Sequence, residues 1–524
     1  MSGVQKSGAE IVIEVLREQG VDTVFGYPGG AVLELYDALY HSPDIRHILT
    51  AHEQAAAHAA DGYARASGKP GVVIATSGPG ATNLVTGIAA AQLDSSSVVA
   101  ITGNVATHLL GSDAFQEVDI AGITMPITKY SFIACEPQTL ARDLREAFAI
   151  ATRVRKGAVL LDLPMDIAAA RTAYTPETPG KAAQPDLPDL TAAVQALQNA
   201  ERPLLYVGGG AQDAAEPLLR LAENCDIPVV CSLMGLGAFP GKHPLYAGLL
   251  GEHGEARANR LLRACDVLLA VGTRFSNRVT QSGAMSGTRL IHLDADAAEL
   301  DKNLAADIAL QGDAAALLTA LLRQLPEARR EAWTAQVEAA APETSAPAQI
   351  LHTLRGLCAE DAILVTDVGQ HQIWAARHFA VNRPRSFLTS GGLGAMGFGM
   401  GAAIGAKLAQ PEKQILLVTG DGSFHMNCAE LATMQKYGLA IPVLVMNNGA
   451  LGMVREWQKW GYGGRFSQSE PRRVTDFCRL AEAFGVKGLR LTTPNQAENV
   501  LREALQNDCA TVVDCVIEGD EEDG

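Results

Sequence analysis

The chain has 524 residues, with hydrophobic residues at 48%, charged residues at 19% and a formal net charge of −16. That length exceeds one hydrophobic core and suggests about three domains, and the balance of apolar to charged residues excludes a disordered chain. The negative charge disfavours nucleic acid and anionic membrane as partners and leaves small molecules as the expected ligands.

In chain order, short β-branched runs at 21–27, 72–77, 98–102 and 159–163 are each followed by a helical pattern, which predicts βαβ units on a parallel sheet. A proline-rich polar stretch at 171–190 predicts a linker, because proline fits neither a helix interior nor an inner strand. A second α/β set has strands predicted at 204–207, 228–231, 267–271 and 290–293, and a second break falls at APETSAPAQ. The third set has strands predicted at 362–366, 415–419, 442–446 and 511–517, followed by an acidic tail, EGDEEDG, expected to fray. The expectation is an α/β chain of three doubly wound parallel-sheet domains, at 1–172, 190–342 and 346–524, with no short-period repeat.

The nine cysteines contain no CxxC pair and read as reduced core residues of a cytoplasmic protein. No stretch is long and apolar enough for a membrane span, and MSGVQKSGAE has no apolar h-region, so no secretory leader is expected.

The sharpest local signal is Gly420-Asp421-Gly422 directly after the run ILLVT, with Asn448 of the pair Asn447-Asn448 standing 27 residues after Asp421. One helix and one strand fill that interval. Both residues are therefore expected at the carboxyl edge of a parallel sheet, where open α/β sheets bind ligands. Mg²⁺ prefers hard oxygen ligands in an octahedron and commonly shares them with a phosphate group. A carboxylate from Asp421, an amide oxygen from Asn448 and the carbonyl of Ala450 suit it. A lone GDG is more simply a strand-to-helix turn, and it is the Asn-Asn pair at this spacing that resembles the signature of thiamine diphosphate enzymes.

The chain resembles the acetohydroxyacid (acetolactate) synthase large subunits through GYPGGA, HEQAAAHAADGYARASGKPG, ATSGPGATNL, GSDAFQE, MGLGAFP, TDVGQHQIWAA, LTSGGLGAMGFG, GDGSF and NNGALGMVREWQ. The resemblance implies the thiamine diphosphate-binding fold, thiamine diphosphate and Mg²⁺ as cofactors, and FAD in the central domain. It implies decarboxylation of pyruvate and transfer of the hydroxyethyl fragment to a second 2-keto acid, pyruvate or 2-ketobutyrate, in branched-chain amino acid biosynthesis. By the same resemblance Glu53 contacts N1′ of the aminopyrimidine and favours the imino tautomer that deprotonates the thiazolium. Met396 props the cofactor in its bent shape, Gln116 faces the reacting fragment, and Trp457 selects the second substrate. Gly29, Gly30, Gln370, His371, Gly422, Ser423 and Met453 contact thiamine diphosphate, with the glycines admitting backbone close to the ligand. His52 and His58 lack the spacing of a zinc motif.

For FAD, the loop Gly208-Gly209-Gly210 follows a strand and lets backbone amides approach a pyrophosphate. Arg155, Arg274, Arg278, Asp294 and Asp313 are its companions by resemblance, although the arginines would serve equally in surface ion pairs. Departures from the family pattern are Met165 for lysine, RFSNRVTQ for RFDDRVTG, Asn104 for glutamine, and the expected absence of a C-terminal arm after EGDEEDG. They bear on the flavin contacts and on water exclusion more than on thiamine chemistry. The resemblance further implies a homodimer or dimer of dimers, with a small regulatory subunit as a possible partner. The competing readings are another thiamine diphosphate enzyme (pyruvate oxidase, a keto acid decarboxylase or a flavin-free catabolic acetolactate synthase) and a non-catalytic binding or regulatory homologue.

Overall fold

The computed structural model describes residues 4–178, 180, 186–276, 279, 287–337, 343–471 and 474–517. The acidic tail expected to fray lies outside them, as does Arg278.

Three six-stranded sheets, all parallel, carry the chain, so the doubly wound α/β architecture expected from the sequence is present. The inner strands are short apolar runs buried on both faces, such as Gly71–Ala75 and Ile415–Gly420. That is the composition a parallel sheet covered by helices demands. In the first sheet the spatial order is Arg46–Leu49, Thr23–Tyr27, Gly71–Ala75, Val98–Asn104, Ala158–Pro164, Tyr130–Ile133. Numbered along the chain, this is 2-1-3-4-6-5. The third sheet runs Phe387–Leu388, Ile363–Thr366, Ile415–Gly420, Pro442–Asn447, Thr511–Val516, Lys487–Leu491 and repeats that order. The middle sheet is different. Its order, Tyr246–Leu249, Val229–Cys231, Pro203–Val207, Val267–Val271, Arg289–Asp294, Ile308–Gln311, is 3-2-1-4-5-6, that of the dinucleotide-binding fold.

All six edge strands were missed from the sequence: Arg46–Leu49, Tyr130–Ile133, Ile308–Gln311 and Lys487–Leu491 have alternating or half-exposed residues, and the largely buried Tyr246–Leu249 and Phe387–Leu388 are only four and two residues long. The linker expected from 171 starts later. Arg171–Tyr174 is a strand pairing antiparallel with Val4–Ser7, and its alternating burial covers the end of the first domain. The cysteine expectation needs a second correction. All nine are free, but only Cys225, Cys231, Cys265 and Cys515 are buried, while Cys135 and Cys509 are exposed.

What joins the first and third domains is a pair of helices, Glu53–Ser67 and Phe398–Ala409, poor in large side chains. Glycine lets the two backbones touch: a Cβ on Gly405 would stand 1.9 Å from the Ala59 carbonyl oxygen, and one on Gly62 would stand 2.2 Å from that of Ala402. Around this pair one continuous core runs from Phe25, Ile48 and Val73 of the first sheet to Ile363, Val365 and Phe424 of the third. The other face of the third sheet, through Leu364, Trp374 and Leu416, packs with Leu205 and Val207 of the middle sheet. Beside the helix pair, Arg65 forms a buried bidentate pair with Asp61 at 2.7 Å and reaches Asp94 at 3.0 Å. Asp94 in turn accepts the N–H groups of Gly391 and Gly392 at 3.1 and 2.6 Å, so a first-domain carboxylate holds the loop that leads to Met396.

Candidate active site

In the third sheet Gly420 lies opposite Met446, so the two strands end together and Asp421 and Asn448 leave the same edge. Asp421 is 2% exposed and opens the helix Asp421–Asn427, where its charge faces the positive end of the backbone dipoles. Its carbonyl oxygen is 2.7 Å from His425 Nδ1. Asn448 donates from Nδ2 to Gln370 Oε1 at 3.2 Å and accepts the Ala450 N–H at 3.1 Å. An amide oxygen has two lone pairs, so one remains for a cation.

His371 is buried against backbone: a Cβ on Gly420 or Gly369 would lie 2.8 Å from its ring. Gly369 has φ +148°, which a side chain would strain. Burial pushes the His371 pKa down to about 3, opposed by a hydrogen bond to the Asp367 backbone, so the ring is neutral. Its Nε2 is buried without a hydrogen-bond partner among the described residues, a polar atom that a ligand could satisfy. Gly422 and Ser423 are buried beside it, the Ser423 hydroxyl donating to the Val368 carbonyl at 3.2 Å. Met453 and Trp457 are on the helix Gly452–Gly461, which has no buried residue, and Trp457 is 57% exposed.

Met396 is half-buried and is pinned through its neighbour. The Gly397 N–H donates to Asp367 Oδ1 at 2.9 Å, the Gly399 N–H to Oδ2 at 2.9 Å, and the Gly397 carbonyl accepts from Asn427 Nδ2. Asp367 and Asn427 were not singled out from the sequence. An aspartate at the end of an apolar strand, in TDVG, was the available signal.

At the carboxyl edge of the first sheet a second group assembles. Glu53 is the first residue of its helix, and its Oε2 accepts from Asn83 Nδ2 at 3.0 Å. Thr76 presses on Gly29, where a Cβ would lie 2.5 Å from its methyl, whereas a Cβ on Gly30 would meet nothing within 4 Å. Gln116, at φ +61°, packs on Gly78, itself at φ +60°. The structure thus brings Glu53, Gly29, Gly30 and Gln116 to one sheet edge, and Gln370, His371, Asp421, Gly422, Ser423, Asn448, Ala450 and Met453 to the other.

Between the three domains is a cavity of about 1590 Å³. It is larger than the roughly 300–1,000 Å³ usual for a small ligand. Arg155, Gly208, Gly209, Gly210, Arg274, Asp294 and Asp313 all line it. Gly208 and Gly272 leave adjacent strands at the point where the strand order reverses, and a Cβ on Gly208 would lie 2.1 Å from the Gly272 carbonyl. Volume and glycine cradle therefore fit a dinucleotide. The charges are already shared: Arg155 pairs with Glu299, lies 3.7 Å from Asp296 and donates to the Ser95 hydroxyl at 2.9 Å. Asp313 caps the helix Ala314–Gln324, and Asp294 accepts the Asp296 N–H at 2.9 Å. Burial raises the Asp294 pKa. Of the departures, Met165 is exposed, and the buried Asn104 donates to Asp162 at 2.5 Å. No helix among the described residues is long and apolar enough to cross a membrane.

Three family models match in order: the N-terminal TPP binding domain of thiamine pyrophosphate enzymes over residues 6–123, the central domain over 190–321 and the C-terminal TPP binding domain over 367–515. The chain is 44% identical to the probable acetolactate synthase large subunit of Methanocaldococcus jannaschii, over 98% of this chain and 92% of that protein. It is 46% identical to the acetolactate synthase large subunit of Parasynechococcus marenigrum, over 97% and 87%. Against the acetolactate synthase isozyme 3 large subunit of Escherichia coli the identity is 43%, over 98% and 95%. With near-complete coverage of each relative and three thiamine pyrophosphate domains in order, the chain belongs to the acetolactate synthase large-subunit family of thiamine pyrophosphate enzymes.

Proposed function

We propose that this chain is a cytoplasmic acetolactate synthase that decarboxylates pyruvate and joins the retained fragment to pyruvate or 2-ketobutyrate. The observation that carries the reading is the pair Asp421 and Asn448 at adjacent strand ends, beside Gln370 and a neutral His371 whose Nε2 has no partner among the described residues. Asp421, the Asn448 amide oxygen and the Ala450 carbonyl hold Mg²⁺, and His371, Gly422 and Ser423 face the diphosphate. When bound, thiamine diphosphate supplies the nucleophilic carbon and the electron sink for loss of CO₂. Glu53 holds a proton at N1′ of the aminopyrimidine, oriented by the Asn83 amide. Met396 sets the cofactor's shape because its neighbour Gly397 is fixed on both sides by Asp367 and Asn427. Gln116 and Trp457 meet the substrates, and Gly30 leaves space open at the first sheet's edge.

Arg155, Gly208, Gly209, Gly210, Arg274, Asp294 and Asp313 hold FAD as a structural cofactor, with Arg155 exchanging carboxylates for phosphate. The assembly is a homodimer or dimer of dimers with the first domain running from 1 through the strand Arg171–Tyr174 and the others at 190–342 and 346–524, and a small regulatory subunit binds it. Incubation with pyruvate, thiamine diphosphate and Mg²⁺, with and without FAD, tests this. Acetolactate is the expected product, whereas acetaldehyde or hydrogen peroxide points to a decarboxylase or an oxidase.

A further inference from the structure

Glu430 ends the short turn Cys428–Glu430 in the third domain and is 1% exposed. A carboxylate withdrawn from water needs donors in compensation. Its donors come largely from the other domain. Oε1 accepts the N–H groups of Ala51 at 3.0 Å and His52 at 3.1 Å, and Oε2 accepts the Thr433 hydroxyl at 2.6 Å. Burial pushes its pKa up, opposed first by the Thr433 hydroxyl and then by the two N–H groups. Seven residues further on, the Tyr437 hydroxyl accepts the Leu49 N–H at 2.8 Å.

These contacts fall on 49–52, the segment that runs directly into Glu53. His52 is the N-cap of the helix and its ring accepts the Gln54 N–H. The backbone amides that fix where the helix starts are therefore committed to a carboxylate 378 residues further along the chain. Holding the domains together does not need Glu430, because the glycine-lined helix pair and the Arg65–Asp94 contacts already do so.

We propose that Glu430 is a positioning residue for Glu53: through the amides of Ala51 and His52 it sets the point from which the Glu53 carboxylate reaches the cofactor. This rests on the role given to Glu53 above. Two readouts on the full-length protein test it, using Glu430→Ala, Glu430→Gln, Glu53→Gln and the double variant Glu53→Gln/Glu430→Ala.

The first is amide hydrogen exchange in the cofactor-free protein. The amides of 51 and 52 exchange about tenfold faster in Glu430→Ala, and Glu430→Gln, which keeps one acceptor oxygen, restores most of the protection. The second is steady-state kinetics at saturating thiamine diphosphate and Mg²⁺. In Glu430→Ala kcat falls about 100-fold, with KM for pyruvate changed less than about twofold. The double variant is then no more than about threefold slower than Glu53→Gln alone.

Faster exchange with wild-type kcat makes Glu430 merely structural and overturns the proposal, as do losses that multiply in the double variant. Wild-type kcat in Glu53→Gln overturns the role of Glu53 and the proposal with it, whereas a slow Glu53→Gln beside a normal Glu430→Ala overturns the proposal alone. Should Glu430→Ala not fold, Tyr437→Phe, which removes only the acceptor of the Leu49 N–H, takes its place in both measurements: slower turnover at unchanged KM supports positioning of the 49–52 segment, and wild-type kcat overturns it.

Discussion

Gly405→Ala places a methyl group 1.9 Å from the Ala59 carbonyl oxygen and 2.7 Å from the Tyr63 nitrogen. Carbon–oxygen contacts between packed backbones settle near about 3.3 Å, so the helices Glu53–Ser67 and Phe398–Ala409 must part by about 1.4 Å. All the obstructing atoms are backbone, and no rotamer change relieves the clash. Overpacking of this kind costs about 1–3 kcal/mol, and the small side chains of the interface lose close contact along the pair. Alanine regains about 1 kcal/mol over glycine as a helix former. Because the displacement is large for one methyl group, the upper part of the overpacking range applies, and the net loss is about 2 kcal/mol. Gly356→Ala is the control. Gly356 lies in the helix Ala346–Leu357, and a Cβ there meets nothing within 4 Å. Only the propensity term acts, and this variant gains about 0.5–1 kcal/mol. Urea unfolding of the two variants beside the parent chain, compared by midpoint at equal slope, measures the difference. A Gly405→Ala midpoint at or above that of the parent would show that the helices slide apart freely and would refute the reasoning from backbone contact.

Glu53→Gln should keep the fold yet slow exchange of the cofactor C2 proton by about 10²–10⁴-fold, and wild-type exchange would remove Glu53 from the chemistry. Trp457→Leu should shift the competition between pyruvate and 2-ketobutyrate by about 1–3 kcal/mol more than it shifts the overall rate, with an unchanged product ratio returning Trp457 to packing. Asp162 is buried between the Thr102 hydroxyl and the Asn104 amide, and burial raises its pKa from 3.8 to about 7. The folded chain keeps a proton that the unfolded chain releases, so the stability this group contributes is fully present below pH 3.8 and is lost as pH rises through about 7. Asp162→Asn should flatten the stability curve across that window, and a parallel curve would contradict the assignment. Finally, Glu53→Gln and Asp421→Ala chains, each inactive alone, should recover activity near half of wild type as a purified mixed dimer if each site draws on two subunits. A mixed dimer shown to form yet inactive would place both groups in one chain's site.

The local chemistry was legible in the sequence. A run of apolar β-branched residues, then Gly420-Asp421-Gly422, then a helix, a strand and Asn448 fixes two oxygen-bearing side chains at one sheet edge, because strand period and right-handed crossover leave little choice of where the strands end. Gly208-Gly209-Gly210 and the residues grouped with it came from the family resemblance alone, and only the fold shows that, Arg278 apart, they line one cavity. Long-range partners could not be read in this way. Nothing near Glu430 announces Ala51, nothing near Asp94 announces Gly391, and an ion pair for Arg155 was open in the sequence while its partner, Glu299, was not. The shared 2-1-3-4-6-5 order of the first and third sheets left no short-period repeat in the sequence, since topology constrains burial and not residue identity. The short edge strands escaped notice for a related reason: half-exposed residues carry little periodic signal, and their pairing is decided by the neighbouring strand. What tertiary structure alone decided is how closely the first and third domains approach, because that distance depends on glycines meeting backbone atoms hundreds of residues away.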